Sequence, residues 1–164
     1  MRTEDRAMSK VPMTGKGFVR LEQELRRLKT VERQEVISAL AEAREMGDIS
    51  ENAEYNAAKE RQAFVEGRVR ELEDTLSRAD VIDVSKLSGN AVKFGATVTL
   101  ADEDTDAEST YQIVGADEAD VGAGLLSITS PLARALIGKS VGDNVDVATP
   151  SGLKSYEIVE VFFA

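Results

Sequence analysis

The chain contains neither cysteine nor histidine among its 164 residues. Without cysteine there is no disulfide and no thiolate metal site, which fits a reducing cytoplasm. Without histidine, the usual general base and the usual zinc ligand are both missing. Chemistry must therefore rest on carboxylates, hydroxyls, lysine or arginine. Tryptophan is also absent, and aromatic residues make up only 5%. No apolar run approaches the roughly 20 residues that a membrane span needs. The first ten residues, MRTEDRAMSK, mix charges and lack an apolar core, so they do not read as a secretory signal. These absences together suggest a cytoplasmic protein with no membrane partner.

Basic charge is scarce as well. The net charge of -10 argues against stable, non-specific coating of DNA or RNA, which needs a basic surface. The deficit is uneven. Residues 1–84 carry 15 of the 20 basic residues but only 18 of the 30 acidic ones. A local positive stripe is thus compatible with the first half alone.

What is present divides into two parts with different periods. Residues 15–46 and 50–78 read as two long helices without an internal proline. In the first, Phe18, Leu21, Leu25 and Leu28 recur at steps of three and four. After a polar stretch, Ile37, Leu40 and Arg44 continue that spacing. In the second, Ala58, Gln62, Val65, Val69, Leu72, Leu76 and Ala79 form a heptad seam. Gly67 interrupts it and suggests a close helix approach. Gly47, Asp48 and Ile49 alone separate the helices, a connection so short that it makes them antiparallel neighbours. Some 30 residues at 1.5 Å each give a rod of roughly 45 Å.

Beyond residue 84 the character changes. Eight of the 12 glycines lie from Gly89 onward. The stretch VIDVSKLSGNAV reads as a linker. Strand-like runs follow at Val92–Leu100, Ser109–Gly115, Leu125–Thr129, Asn144–Thr149 and Leu153–Phe163. A short helix, Pro131–Ile137, has proline in its first turn. The pattern predicts a small antiparallel sheet packed on a helix, and hence an α+β protein.

The hairpin turn holds Asp48 and Glu51, three residues apart. They read in two compatible ways. Asp48, or Ser50, can cap the second helix, with Glu51 as the partner of a capping box. Alternatively, both carboxylates project past the rod and share one Mg²⁺, which prefers hard oxygen ligands and keeps most of its waters. Such a site is incomplete and needs ligands from a partner. Ile49 is apolar where a turn normally exposes a polar residue. Arg44 and Lys59 flank the tip, either as solvated helix charge or as holders of RNA phosphates.

The run AEAREMGDISENAEYNAAKE resembles the hairpin tip of the Gre family of bacterial transcript-cleavage factors. The segments VPMTGKG, FVEGRVRELE, FGATVTL, YQIVGADEAD, SPLARALIGK and TPSG…YEIVEV resemble the same family in the same order. Met8 opens MSKVPMT, which is similar to a usual Gre start, so residues 1–7 read as an extension or as the product of a misplaced start codon. Met46 and Asn56 stand where some relatives carry histidine, and Glu32-Arg33-Gln34-Glu35 replaces a more usual arginine-proline turn.

The resemblance implies three segments: an extension (1–10), an antiparallel coiled-coil hairpin (11–84) and an FKBP-like globular domain (85–164). It implies a monomer that binds bacterial RNA polymerase at the rim of its secondary channel. The tip meets the 3′ end of backtracked RNA there and stimulates cleavage by the polymerase's own active site. Asp48 and Glu51 would share the catalytic Mg²⁺ with the polymerase, and the chain alone would be no enzyme. Arg44, Ile49, Ser50, Asn52, Tyr55 and Lys59 would lie near the RNA. Ser130, Pro131, Leu132, Ala133 and Arg134 would lie on the polymerase-facing side. Three other readings are a Gre homologue that occupies the channel as an inhibitor, a prolyl isomerase and a generic coiled-coil adaptor. The second has only Phe94, Tyr111, Tyr156, Phe162 and Phe163 from which to build a ring-lined pocket.

Overall fold

The computed structural model describes residues 9–46 and 52–164. These divide into two compact units. One comprises Ser9 and residues 18–79, and the other residues 10–17 and 80–164. The division by packing falls near residue 80. It also assigns residues 10–17 to the second unit, although by sequence they lead into the hairpin.

The first unit is helical. Helix α1 (Gly15–Arg27) runs into a π-helical turn (Leu28–Glu32) and then helix α2 (Arg33–Glu45). Helix α3 (Ala53–Ser77) packs against α2. Its 25 residues extend about 37 Å. Its buried seam is Ala58, Val65, Val69 and Leu72, as the heptad predicts, with Gln62 and Leu76 half-buried. Thr75 is an unforeseen buried member.

The first arm departs from the predicted seam. Leu21 and Leu28 are buried seven residues apart, but the next buried residues are Val36, Leu40 and Ala43. Ile37 and Arg44 face solvent. The cause is the π turn. Arg33 N–H donates to Leu28 C=O, five residues back, so one extra residue is absorbed. The step from Leu28 to Val36 becomes eight instead of seven, and Glu35 stays out of the seam. The Thr30 hydroxyl donates to the Arg26 carbonyl at 2.7 Å, helping to satisfy the wider turn.

Ion pairs border the seam: Arg68 with Glu24, Lys29 with Glu73, and Arg61 with both Glu32 and Glu35. Each is part-exposed, so solvent screens it and the apolar seam does most of the holding. Gly67 does not mark a close approach. A Cβ there would meet nothing within 4 Å beyond the helix's own adjoining backbone.

In the second unit, β1 (Val11–Thr14) and β2 (Ala79–Ile82) form a two-stranded sheet. Residues 79–82 and a 3₁₀ turn at Val84–Lys86 thus give structure to part of the predicted linker. The main sheet contains β3 (Thr97–Asp102), β4 (Glu108–Val114), β5 (Leu125–Ser127), β6 (Asn144–Thr149) and β7 (Gly152–Phe162). Its order is β5-β4-β3-β7-β6. Three pairings are antiparallel, but β5 runs parallel to β4, with Gln112 opposite Leu125. The sheet is therefore mixed, a correction to the antiparallel expectation. Two 3₁₀ turns between β4 and β5 bring the chain back to the same end.

Helix α4 (Pro131–Leu136) closes the core. Val98, Leu100, Ile113, Ala133, Leu136 and Ile158 are almost wholly buried there. One charged side chain is buried as well. Glu118 accepts from Thr14 N–H at 3.1 Å, Gly115 N–H at 2.7 Å and the Thr14 hydroxyl. The Thr14 oxygen in turn accepts from Gly17 N–H at 3.1 Å, capping the start of α1. Every polar atom of this network is paired, the condition under which a buried carboxylate is tolerated.

Candidate functional site

The candidate site lies where α2 ends and α3 begins. Asp48, Ile49, Ser50 and Glu51 lie outside the described residues. The structure shows what flanks them. Helix α2 ends at Glu45, with Met46 leaving the helical conformation and donating to Ala43 C=O. Helix α3 begins at Ala53, and its N-cap is Asn52, whose side-chain oxygen accepts from Tyr55 N–H at 3.0 Å. Neither Asp48 nor Ser50 holds the cap position. Asparagine is among the best caps, because its short side chain reaches the free N–H groups of the first turn.

Asn52 makes a second bond. Its side-chain nitrogen donates to the Ala43 carbonyl at 2.6 Å. One residue thus joins the last turn of α2 to the first turn of α3. Sequence reasoning assigned Asn52 a place near RNA but missed this bridge.

Tyr55, in the first turn of α3, collects the two cations expected beside the tip. Arg44 lies 5.9 Å and Lys59 5.8 Å from the ring centroid. Cations at that distance are attracted by the ring's negative face, by about 0.5–1 kcal/mol at exposed sites. Arg44 comes from α2 and Lys59 from α3. A shared aromatic ring lowers the cost of holding two like charges near it. The described residues on the two sides of the tip thus bring one aromatic ring and two cations together.

Comparison with known proteins decides what this hairpin belongs to. The family model described as "Transcription elongation factor, N-terminal" matches residues 11–81. The one described as "Transcription elongation factor, GreA/GreB, C-term" matches residues 87–162. The chain belongs to the GreA/GreB family of transcription elongation factors. A relative from Maricaulis maris, named transcription elongation factor GreA, is 64% identical over 94% of this chain and 98% of its own. One of the same name from Methylobacterium nodulans is 66% identical over 96% and 99%. Among solved structures, the GreA factor homolog 1 (Gfh1) of Thermus thermophilus is 33% identical over 93% of this chain and 99% of that one. Its TM-score of 0.43 is too low to add to the fold described above.

The second stretch singled out as a GreA/GreB feature is Ser130–Arg134. Ser130 caps α4, accepting from Ala133 N–H at 3.2 Å, and Pro131 opens the helix. Ala133 is fully buried and Leu132 half-buried against the core, so both serve packing. Pro131 and Arg134 are what this segment presents to solvent. Among the described residues, no helix is long and apolar enough to cross a membrane.

Proposed function

We propose that this GreA/GreB-family chain enters the secondary channel of bacterial RNA polymerase tip first and stimulates cleavage of backtracked RNA. The observation that carries the reading is the cap. Because Asn52 holds the N-cap position of α3, capping that helix does not account for two carboxylates in the preceding turn. Asp48 and Glu51 are hard oxygen donors of the type Mg²⁺ accepts. When bound between them and the polymerase's own carboxylates, the ion would activate a water and stabilise the leaving oxygen of the RNA phosphodiester. Two carboxylates are too few for an octahedral ion, so the chain alone would not be a nuclease. Arg44 and Lys59, gathered on Tyr55, would hold the phosphates of the extruded RNA. Arg134 and Pro131 would meet the channel rim, far along the chain from the tip.

The test is a stalled elongation complex incubated with Mg²⁺ and either Asp48→Asn or Glu51→Gln. Each amide preserves size and removes the charge. Both should lose cleavage while still competing for polymerase, and added Mg²⁺ should restore part of the activity. Full cleavage by both variants would sink the shared-metal reading. Channel occupancy without cleavage by the unmodified chain would favour an inhibitor instead.

A further inference from the structure

We propose that the face of α3 around Phe64 and Gly67 is a protein-docking surface, which seats in an apolar cleft with a basic border on the partner that receives the rod. This rests on the reading above, in which that partner is the polymerase. Two departures from an ordinary solvated helix face lie one turn apart. Phe64 is 70% exposed, the most of any large apolar side chain among the described residues. Gly67 stands in a helix interior, where glycine is destabilising, and a Cβ there would meet nothing within 4 Å beyond the helix's own adjoining backbone. Packing inside the hairpin therefore accounts for neither residue. At a spacing of three they are neighbours on the helix surface, and Ala63, also exposed, stands four residues before Gly67. A ring thus projects beside a low notch of Ala63 and Gly67, where a partner's backbone can come close.

The charges around the ring choose between occupants. Along one row of the helix, Phe64 and Gly67 lie between Glu60 and Glu71, both exposed. Arg61 and Arg68 border the same side, but each is held by two carboxylates. Arg61 pairs with Glu32 and Glu35, and Arg68 with Glu24 and Glu71. With Arg27 on Glu32, five carboxylates stand against three arginines. Such a border repels the phosphates of RNA, and in a second copy of the chain it would meet itself. It complements a cleft edged by lysine or arginine. Aromatic anchors that lose their water inside a polar rim carry much of the affinity between proteins.

The experiment lets full-length variants compete with the labelled unmodified chain for stalled elongation complexes. Melting temperature and RNA cleavage at saturating factor are read beside it. Phe64→Ala removes the ring, and Gly67→Leu fills the notch. Each should weaken competition about tenfold, with cleavage at saturation unchanged. Melting should fall in neither, since alanine and leucine favour helix more than the residues they replace. Phe64→Leu should recover part of the affinity, and Glu60→Lys should lose affinity by placing a cation in the border. Binding would thus weaken without loss of stability, which damage to the fold would not produce. If Phe64→Ala and Gly67→Leu compete like the unmodified chain, the docking surface is overturned and the cleavage reading stands. Cleavage lost at saturation with affinity unchanged would place RNA against this face. A concentration-dependent dimer that Phe64→Ala dissolves would place a second copy there. Either result also overturns the proposal. An unmodified chain that does not bind stalled complexes would sink the cleavage reading, and this surface with it.

Discussion

Arg33 and Glu66 face each other across the rod with two parallel hydrogen bonds, Nε to Oε1 at 2.8 Å and Nη2 to Oε2 at 2.9 Å. That fork-to-carboxylate geometry is the strongest form of an ion pair. It holds the Glu66 carboxyl below the usual glutamate range, first through the hydrogen bond from Arg33. A folded-state pKa below the unfolded one means that stability is present above the ordinary glutamate value and lost as pH falls through the folded one. Helical melting of the unmodified chain should therefore fall as pH drops below the ordinary glutamate value of 4.5, and Glu66→Gln should flatten part of that fall. The pair is partly exposed, so 1 M salt should shrink the difference between the two. Identical acid profiles at low salt would remove the pair from the stability of the rod.

The seam and Gly67 predict changes of opposite sign. Leu72 is 1% exposed, and Leu72→Asp places an unpaired charge among apolar neighbours. The loss should reach at least the roughly 2–5 kcal/mol of a buried leucine truncation, seen as lost helical circular dichroism. Gly67 sits in α3 with open space at its Cβ. Gly67→Ala should stabilise the rod by about 1 kcal/mol, read as a rise in melting temperature.

Gly115 has no such room. A Cβ there would lie 2.3 Å from the Pro12 carbonyl oxygen, a backbone atom. Gly115→Ala should cost about 1–3 kcal/mol, whereas Gly15→Ala, with nothing within 4 Å, should be close to neutral. Chemical denaturation of the two variants checks the contrast.

Arg134 is exposed on α4 while Ala133 beside it is buried. If the segment docks, Arg134→Glu should weaken polymerase binding severalfold and leave melting within about 0.5 kcal/mol of the parent. Equal affinity in a fluorescence titration would remove α4 from the interface.

The π turn offers a test by deletion. Removing Thr30 leaves Leu28 and Val36 seven residues apart, the step that a plain α-helix needs. The variant should stay helical and melt within a few degrees of the parent. Removing Thr30 and Val31 together would carry Arg44 towards the seam and should destabilise the rod strongly.

The long helices were legible because apolar residues recur there with one period over many turns. The phase slip at Leu28–Glu32 was not, since it depends on one residue in a polar stretch that carries no period of its own. Strands β3, β4, β6 and β7 announced themselves through β-branched residues and turns. The parallel return of β5 did not, because three residues do not encode a direction. The pairing of β1 with β2 and the burial of Glu118 escaped for a related reason. Each depends on a distant stretch of chain, and Glu118 reads as one more acidic residue in the Asp117–Asp120 turn. At the tip, residue types pointed to Arg44, Tyr55 and Lys59. The cap itself went to Asn52, because asparagine competes for that position on equal terms with aspartate and serine.

The hydrogen bonds between Thr14 and Glu118 join residues 104 apart in the chain. The unit that contains them is interrupted by the whole of residues 18–79. On a ribosome moving at about 5–20 residues per second, the helical arms emerge first, and residues 10–17 wait roughly 5–20 s for their partner. The earlier-made segment of this unit is therefore among the last to find its place. Thr14 and Gly17 spend that interval as an unclosed seam at the head of a helix that is already being made.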